Sequence, residues 1–223
     1  MRKPIFYYGD TFSKYEEVLR KNGIIKSYAA GDFLNRVGEN FSRCEYIITG
    51  KVSLCVLNPA GEAKTVCFFG SGCMFPPYSS PKYHYSFETN SLFVKALTDV
   101  TTISLSQENL LLLLKKDNDF CIDMLDFICD LTEVMLYEIS SKSYTDNFTN
   151  VCTFLWVLTH DLNTNGIILS QNDIANAVGV SRVFVAQCLK KLRDKKIVNT
   201  AKMKITVLNS DKLAALCSPD IPV

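Results

Sequence analysis

The chain has 223 residues, of which 48% are hydrophobic and 21% charged, and its formal net charge is +1. These values are ordinary for a globular protein with one large domain or two smaller ones. They exclude a transmembrane helix, because no apolar run approaches the roughly 18 residues that one needs. The N-terminal residues are too polar for a signal peptide, so we expect a cytoplasmic protein with no membrane partner.

Residues 11–22 form the first predicted helix, because Phe12, Tyr15 and Leu19 share one side of it. A series of short segments follows, rich in β-branched and aromatic residues and separated by glycines. Their spacing predicts antiparallel strands that form a sandwich or a barrel-like roll. The predicted strands are residues 24–30, 45–50, 51–57, 64–70, 92–97 and 100–106, with a turn at 58–62.

A long amphipathic helix is predicted within residues 117–144. Two rows of apolar residues run along it, so the apolar arc is wider than one core requires. This arc indicates a helix that packs on its own roll with one side and on the same helix of a second copy with the other. The alternative is an ordinary core helix in a monomer. The predicted dimer interface comprises Phe120, Met124, Phe127, Ile128, Leu131, Val134 and Met135.

Residues 170–194 have the pattern of a helix-turn-helix. Ser170 is placed to cap the first helix, with Asp173 completing a capping box. Ala175, Gly179 and Val185 stand four and six residues apart. A small residue lets the two helices approach, a glycine makes the turn, and a β-branched residue fills the corner.

The segments on either side of this motif complete a DNA-binding domain. Residues 141–147, with the sequence SKSYTDN, predict a hinge, and Asp146 is a suitable N-cap for the helix that follows. After the motif, residues 195–209 predict a β-hairpin wing. We expect Asn199 in the turn of this wing and Lys204 near its tip.

The second helix of the motif presents a polar and cationic side to solvent. Arg182 can bind a guanine edge, Gln187 an adenine edge and Val183 a thymine methyl group. Residues 181–204 contain eight Lys or Arg and one Asp, which indicates contact with phosphates. The alternatives are a helical hairpin that only packs and a solvated lysine face. The predicted contacts with double-stranded DNA are Ser170, Gln171, Ser181, Arg182, Val183, Ala186, Gln187, Lys190, Lys191 and Lys202.

The nine cysteines are interpreted as small, buried, reduced residues. No pair has C-x-x-C spacing, and the only histidines are His84 and His160. We therefore expect no zinc, iron–sulfur cluster or other cofactor. The predicted strands contain no histidine, which argues against an enzyme with a metal site in a cupin-like barrel.

The order of these features resembles the CRP/FNR regulators, relatives of the cyclic-AMP receptor protein. Residues 28–75, from YAAGDF to SGCMF, are similar to the roll of that family, and residues 170–198, from SQNDIA to DKKIV, to its DNA-reading motif. The resemblance implies an α+β fold with an N-terminal antiparallel β-roll of the cyclic-nucleotide-binding, jelly-roll type. A long dimerisation helix and a C-terminal winged helix-turn-helix follow. The implied domains are residues 1–116, 117–145 and 146–223.

The resemblance also implies a function. A protein of this type is a homodimeric transcription factor that binds a palindromic operator and contacts RNA polymerase. Members that read the common TGTGA or TTGAT half-sites carry glutamate after the Arg182 position and arginine at the Gln187 position. Here these residues are Val183 and Gln187. We therefore expect one retained guanine contact and an otherwise different half-site.

Departures from the family pattern concern the effector. Members that bind cyclic nucleotides carry an F-G-E motif and then an arginine that binds the phosphate. This chain has FPPY at residues 75–78 and no arginine between Arg43 and Arg182. A buried phosphate needs such a partner, so we do not expect cyclic AMP. The iron–sulfur and haem patterns of the family are not matched either, because the first cysteine is Cys44 and the spacing of Cys73 and His84 differs.

In place of a phosphate-binding arginine, the region between the predicted strands at 64–70 and 92–97 contains aromatic residues and a lysine. We expect a cavity between the roll and the long helix that suits an aromatic or other small carboxylate, which resembles the branch that senses chlorinated phenylacetates. The alternatives are a structural roll filled by its own aromatic residues and a roll that responds to redox state through cysteines. The predicted effector-binding residues are Tyr78, Lys82, Tyr83, His84, Tyr85, Lys95, Phe127, Leu131 and Met135.

Overall fold

The computed structural model of the chain describes residues 6–39, 41–57, 61, 63–76, 91–141, 146–201 and 203–218. These residues form two compact units. One unit contains the described residues of Tyr8–Thr132, and the other contains those of Met1–Tyr7 and Glu133–Val223.

The unit of Tyr8–Thr132 is built on two β-sheets. Its strands, with the preceding Tyr7, are β1 (Tyr7–Tyr8), β2 (Ile24–Tyr28), β3 (Phe33–Asn35), β4 (Arg43–Thr49), β5 (Lys51–Leu57), β6 (Ala63–Gly70), β7 (Met74–Phe75), β8 (Leu92–Ala96) and β9 (Val100–Ser106). One sheet has the order β1-β6-β5-β8-β3, and the other has the order β2-β9-β4-β7. Strand β4 pairs with β9, and β5 pairs with both β6 and β8, all antiparallel. The predicted antiparallel roll is therefore confirmed.

All six predicted strands are present, as β2, β4, β5, β6, β8 and β9. The strands β1, β3 and β7 were not predicted, because two or three residues are too few for an alternating pattern to be visible. The turn predicted at residues 58–62 lies largely outside the described residues. The antiparallel pairing of Leu57 with Ala63 brackets it.

A single glycine connects a strand of one sheet to a strand of the other. Gly50 lies between β4 and β5 with a φ of +97°, which side chains rarely adopt. A Cβ atom there would meet the carbonyl oxygen of Asp99 and the side chain of Val100. Glycine is therefore required both by the backbone angle and by the close approach of the strand that begins at Val100.

Three helices accompany the sheets. They are α1 (Glu16–Asn22), which follows a 3-10 turn at Ser13–Tyr15, then α2 (Gln107–Lys116) and α3 (Asn118–Ser141). Helix α2 was not predicted. Its N-cap is Ser106, which accepts a hydrogen bond from the Asn109 N–H, and its buried side is Leu110 and Leu113. None of the described helices is long and apolar enough to cross a membrane.

One side of α3 packs on an aromatic cluster, which we define as Tyr8, Phe12, Phe69, Phe120 and Phe127. The ring centroid of Phe127 lies 5.4 Å from those of Tyr8 and Phe12 and 6.2 Å from that of Phe69. The Tyr8 hydroxyl donates to the Asp130 carbonyl oxygen of the same helix at 3.1 Å. These rings form the core between α3 and the roll, because every member of the cluster is buried.

The second unit is a small α+β domain. Beyond the end of α3 it contains α4 (Asn147–Asp161), β10 (Gly166–Ile167), α5 (Gln171–Val178), α6 (Arg182–Asp194), β11 (Val198–Ala201), β12 (Lys204–Val207) and α7 (Ser210–Ala214). The three strands form one sheet in the order β10-β12-β11. The predicted cap is confirmed, because the Asp146 side chain accepts the N–H groups of Phe148 and Thr149. Of the predicted hinge, residues 142–145 lie outside the described residues.

The predicted wing is present, but one detail was wrong. Asn199 was expected in its turn, yet it lies within β11 and pairs with Thr206 of β12. The described turn residue is Met203, which has a φ of +58°. Asn199 suggested a turn because asparagine is a common turn residue. The register of the hairpin is fixed instead by the buried side chains of Val198, Ile205 and Val207.

Candidate nucleic-acid interface and sensing region

The helix-turn-helix is built by α5 and α6. Ser170 caps α5 by accepting the Asp173 N–H, and the Asp173 carboxylate in turn accepts the Ser170 N–H at 2.9 Å. Gly179 ends α5 with a φ of +78°, and its N–H donates to the Ala175 carbonyl oxygen at 2.8 Å. Val185 is fully buried at the corner between the helices. The predicted capping box, glycine turn and corner residue are therefore all confirmed.

Helix α6 has one buried and one exposed side. Val185, Cys188, Leu189 and Leu192 face the core, and the cap residue Ser181 accepts the Phe184 N–H. On the other side Arg182, Val183, Gln187 and Lys190 are exposed, and Ala186 is half-buried. Val183 is 67% exposed, which is unusual for a β-branched residue in a folded domain. No described residue forms a hydrogen bond or ion pair with the side chains of Arg182, Gln187 or Lys190.

A groove of about 450 Å³ lies between this helix and the wing. It is lined by Ser170 and Gln171 at the start of α5, by Arg182 at the start of α6, and by Thr200 and Lys204 of the wing. Free N–H groups at helix N-termini and cations suit phosphate oxygens. The structure thus brings together three of the predicted DNA contacts, whereas Lys202 lies outside the described residues.

Two of the cationic residues of α6 are held by the domain itself. The ammonium group of Lys191 lies 4.2 Å from the centroid of the Phe148 ring, a cation–π contact. The Arg193 guanidinium donates to the Thr200 hydroxyl at 2.7 Å and so joins α6 to the wing. Lys195 and Lys196, beyond the end of α6, are exposed. They remain available to bind phosphates.

Helix α3 carries a second apolar stripe on its exposed side, which we call the α3 seam. It contains Ile122, Leu125, Cys129, Thr132 and Leu136, at spacings of three, four, three and four residues. This is the heptad spacing of a coiled-coil interface. Leu125 is 56% exposed in the single chain. The sequence contains this spacing, but Cys129 and Thr132 make the stripe less conspicuous than the aromatic row beside it.

The residues predicted for the dimer interface lie mostly on the covered side of α3. Phe120, Met124, Phe127, Leu131 and Val134 are buried within the chain, Ile128 is half-buried, and Met135 is exposed. A side chain already buried in its own chain has little surface left for a partner. The α3 seam keeps more exposed apolar surface than this set of residues does.

Most of the predicted effector-binding residues cannot be placed, because Tyr78, Lys82, Tyr83, His84 and Tyr85 lie outside the described residues. Of the others, Phe127 belongs to the aromatic cluster, Leu131 is buried, Lys95 is half-buried on β8, and Met135 is exposed. None of these four side chains lines the cavity of the roll unit described next.

A cavity that the sequence did not reveal lies in the roll unit. Its volume is about 360 Å³, and Arg43, Glu45 and Lys26 form part of its lining with Phe41 and Phe75. The Glu45 carboxylate accepts hydrogen bonds from the hydroxyl groups of Thr102 and Ser104, each at 2.6 Å. The Arg43 Nε donates to the Ser104 hydroxyl, also at 2.6 Å.

Known proteins resemble this chain in its DNA-binding domain and over most of its length. Residues 150–216 match the model of the Crp-like helix-turn-helix domain. A global nitrogen regulator from Nostoc sp. is 27% identical over 186 residues, which cover 76% of this chain and 78% of that protein. The chain therefore contains a Crp-like helix-turn-helix domain and is similar to transcriptional regulators of the CRP/FNR type.

Solved structures agree with this fold. FixK2 from Bradyrhizobium japonicum superposes on this chain with a TM-score of 0.75 at 18% identity, covering 88% of this chain and 98% of that one. CprK in complex with OCPA superposes with a TM-score of 0.70 at 18% identity, covering 93% and 97%. Both likenesses extend over the roll and the DNA-binding domain, since nearly the whole of each chain is covered.

The nine cysteines of this chain are all free. Burial raises the pKa values of the Cys44, Cys67 and Cys73 thiols, and it raises that of Cys152 to about 12. A thiol with a raised pKa is a poor nucleophile and a poor metal ligand near neutral pH. The interpretation of all nine cysteines as buried was wrong for Cys129, which is exposed on the α3 seam, and Cys121 and Cys217 are half-buried. His84, whose spacing from Cys73 differs from the haem pattern of the family, lies outside the described residues.

Proposed function

We propose that this regulator is a homodimer that binds a palindromic operator in double-stranded DNA through α6 and is switched by a small organic effector. The observation that carries the proposal is the exposed side of α6, whose Arg182, Val183 and Gln187 make no described polar contact and lie at the start of a Crp-like recognition helix. The regulator acts in the cytoplasm, contacts RNA polymerase and has no enzymatic activity or cofactor of its own.

The proposed domains have separate tasks. Residues 1–116 sense the effector, residues 117–145 form the dimerisation helix and the hinge, and residues 146–223 bind DNA. The effector favours one of two packings of the paired α3 helices, and the hinge passes that change to the recognition helices. A ligand shifts such an equilibrium only by its differential affinity for the two states, and coupling of about 1–3 kcal/mol gives a usable response.

Arg182→Ala tests the DNA-reading surface. We expect a loss of about 1–3 kcal/mol in binding to an operator selected from random-sequence DNA, with little loss on non-specific DNA, because Arg182 reads a base edge. Fluorescence anisotropy on both DNAs measures the two losses. The fold should not be affected, since the Arg182 side chain is exposed and has no described partner.

Lys195→Ala is the matched control for this experiment. Lys195 follows the C-terminus of α6 and is exposed, and we expect it to contact a DNA phosphate group. We expect it to weaken binding to both DNAs alike and to reduce the salt slope by about one. Equal losses of Arg182→Ala on operator and non-specific DNA would contradict the assignment of Arg182 to a base.

Cys129 allows the dimer to be tested without disturbing it. In a parallel two-fold coiled coil, residues of the seam meet their own copies, which brings the two Cys129 thiols close enough for a disulfide. We expect mild oxidation by copper–phenanthroline to give a covalent dimer on non-reducing gels and Cys129→Ser to abolish it. A cross-link that survives Cys129→Ser would indicate a different interface.

Two observations support switching by an effector: the complex of CprK with OCPA, and the raised pKa values of the buried cysteines. CprK, which has the same fold, was solved in complex with OCPA. Redox sensing by the buried cysteines is disfavoured, because their raised pKa values leave little thiolate. Operator affinity measured with and without small-molecule extracts separates an effector-switched regulator from one whose roll is structural only.

A further inference from the structure

We propose that the cavity at Arg43 in the roll unit binds a small organic monocarboxylate with an apolar body. This inference rests on the proposed function and specifies the class of the effector and the place where it binds. The site differs from the region predicted from the sequence, because none of the predicted effector-binding residues lines it.

The guanidinium group of Arg43 is held in place by Ser104 and keeps N–H donors free. Its Nε donates to the Ser104 hydroxyl at 2.6 Å and its Nη2 to the Ser104 carbonyl oxygen at 2.7 Å. A guanidinium has five N–H donors, so three of them, including both on Nη1, have no partner among the described residues. Because Ser104 is fully buried, it holds the guanidinium in one orientation. A planar cation fixed in this way suits a carboxylate.

The neighbouring carboxylate of Glu45 takes its hydrogen bonds from groups other than Arg43. Glu45 is 8% exposed, and its oxygens accept the hydroxyl groups of Thr102 and Ser104 and the ammonium group of Lys26 at 3.3 Å. Buried carboxylates need such compensation, and Glu45 obtains it without a hydrogen bond from Arg43. Glu39, also on the lining, is exposed, and its Oε2 accepts the Arg36 N–H at 2.8 Å.

The rest of the lining is apolar and aromatic. Phe41 and Phe75 meet edge to face with their centroids 5.5 Å apart, and Pro76 and Val94 continue the wall. The volume of about 360 Å³ is that of a pocket for a small molecule. A single guanidinium group with free N–H donors beside an aromatic wall suits an acid with one carboxylate and an apolar or aromatic body.

The cavity is connected to α3 by packed rings. Phe75, on the lining, stacks on Phe69 with centroids 5.1 Å apart and an interplanar angle of 19°. Phe69 in turn lies 6.2 Å from Phe127 of α3. Close-packed rings move together, so a ligand that displaces Phe75 changes the packing that holds α3 against the roll.

Calorimetric titration of the full chain without DNA tests the site. The probes are phenylacetate and 3-phenylpropionate, each compared with its primary amide. We expect the acids to bind with millimolar or tighter affinity and the amides to bind at least about tenfold more weakly, because only a carboxylate accepts the charged fork. Arg43→Gln should weaken binding of the acids by a similar factor. The matched control is Arg20→Gln, which removes an exposed arginine from α1 and should leave binding unchanged.

Thermal unfolding without ligand shows whether Arg43→Gln folds. If it does not, Phe41→Ala tests the site instead, since Phe41 makes none of the polar contacts at Arg43. It should weaken binding of the phenyl acids by about fivefold through loss of apolar contact. The proposal is overturned by no saturable binding of either acid, by equal binding of acids and amides, or by a loss of affinity in Lys95→Gln but not in Arg43→Gln.

The same samples separate this inference from the proposed function. Operator-specific DNA binding together with no binding of the acids overturns the Arg43 site and leaves the regulator intact. Binding of the acids with no operator-specific DNA binding supports the site and contradicts the proposed function.

Discussion

Leu125→Glu should convert the regulator into a monomer that no longer binds its operator tightly. Leu125 occupies the middle of the α3 seam and is 56% exposed in the single chain, so its replacement does not disturb the core of the roll. In a paired seam it would place two like charges in an apolar interface. An unpaired buried charge costs about 3–5 kcal/mol, which corresponds to a dimer dissociation constant raised at least about a hundredfold.

Sedimentation equilibrium measures the monomer–dimer constant, and anisotropy on the operator measures the consequence for DNA binding. The matched control is Leu112→Glu. Leu112 of α2 is 64% exposed and lies outside the seam, so the same substitution there should leave both constants unchanged. A Leu125→Glu protein that remains dimeric would exclude the α3 seam as the interface.

Phe127→Ala should lower the free energy of unfolding by about 3–5 kcal/mol, a large part of the total stability of a typical domain. Phe127 is 1% exposed, and its ring contacts those of Tyr8, Phe12 and Phe69. Truncation therefore removes aromatic contacts from three sides and leaves a cavity between α3 and the roll.

Urea unfolding at one fixed protein concentration measures this loss, because dimerisation adds to the apparent stability. Phe33→Ala is the matched control. Phe33 is on the edge strand β3 and is exposed, and its ring contacts Phe93 and the Arg36 guanidinium, so we expect a loss of about 1 kcal/mol. Similar losses for the two variants would contradict the central place of Phe127 in the aromatic cluster.

Helix α3 could be predicted only in part from the sequence. The pattern predicted a helix with two apolar sides, and the structure has them. Which side faces the roll could not be read from the pattern, because both rows have helical spacing and the aromatic row is the larger. The side is decided by contacts with Tyr8 and Phe69, which are distant in sequence.

The DNA-binding domain could be predicted more fully. Its caps at Ser170 and Ser181 and its turn at Gly179 depend on interactions within a few residues, which a sequence displays directly. The first strand of the wing sheet, β10, was missed because its two residues pair with Thr206 and Ile205, far along the chain. Contacts between distant segments leave little local signal.

The cavity at Arg43 could not have been found in this way. Arg43 and Ser104 are separated by 61 residues and meet only because β4 and β9 pair. Arginine and serine are both common in exposed strands, so neither suggested a cavity. The clue that the sequence does hold is Glu45, an acidic residue among the buried residues Cys44, Tyr46 and Ile47 of the same strand. A carboxylate in such a strand needs partners.

The exposed side of α6 has a consequence for the evolution of the regulator. Among the described residues, no polar partner holds Arg182 or Gln187, and most of the surface of Val183 is free. Exchanging these side chains therefore costs the domain little stability, while under the proposed base contacts each exchange alters which base pairs are preferred. On that proposal, descendants of this protein acquire a new set of target promoters by a few substitutions, with the scaffold that presents them left unchanged.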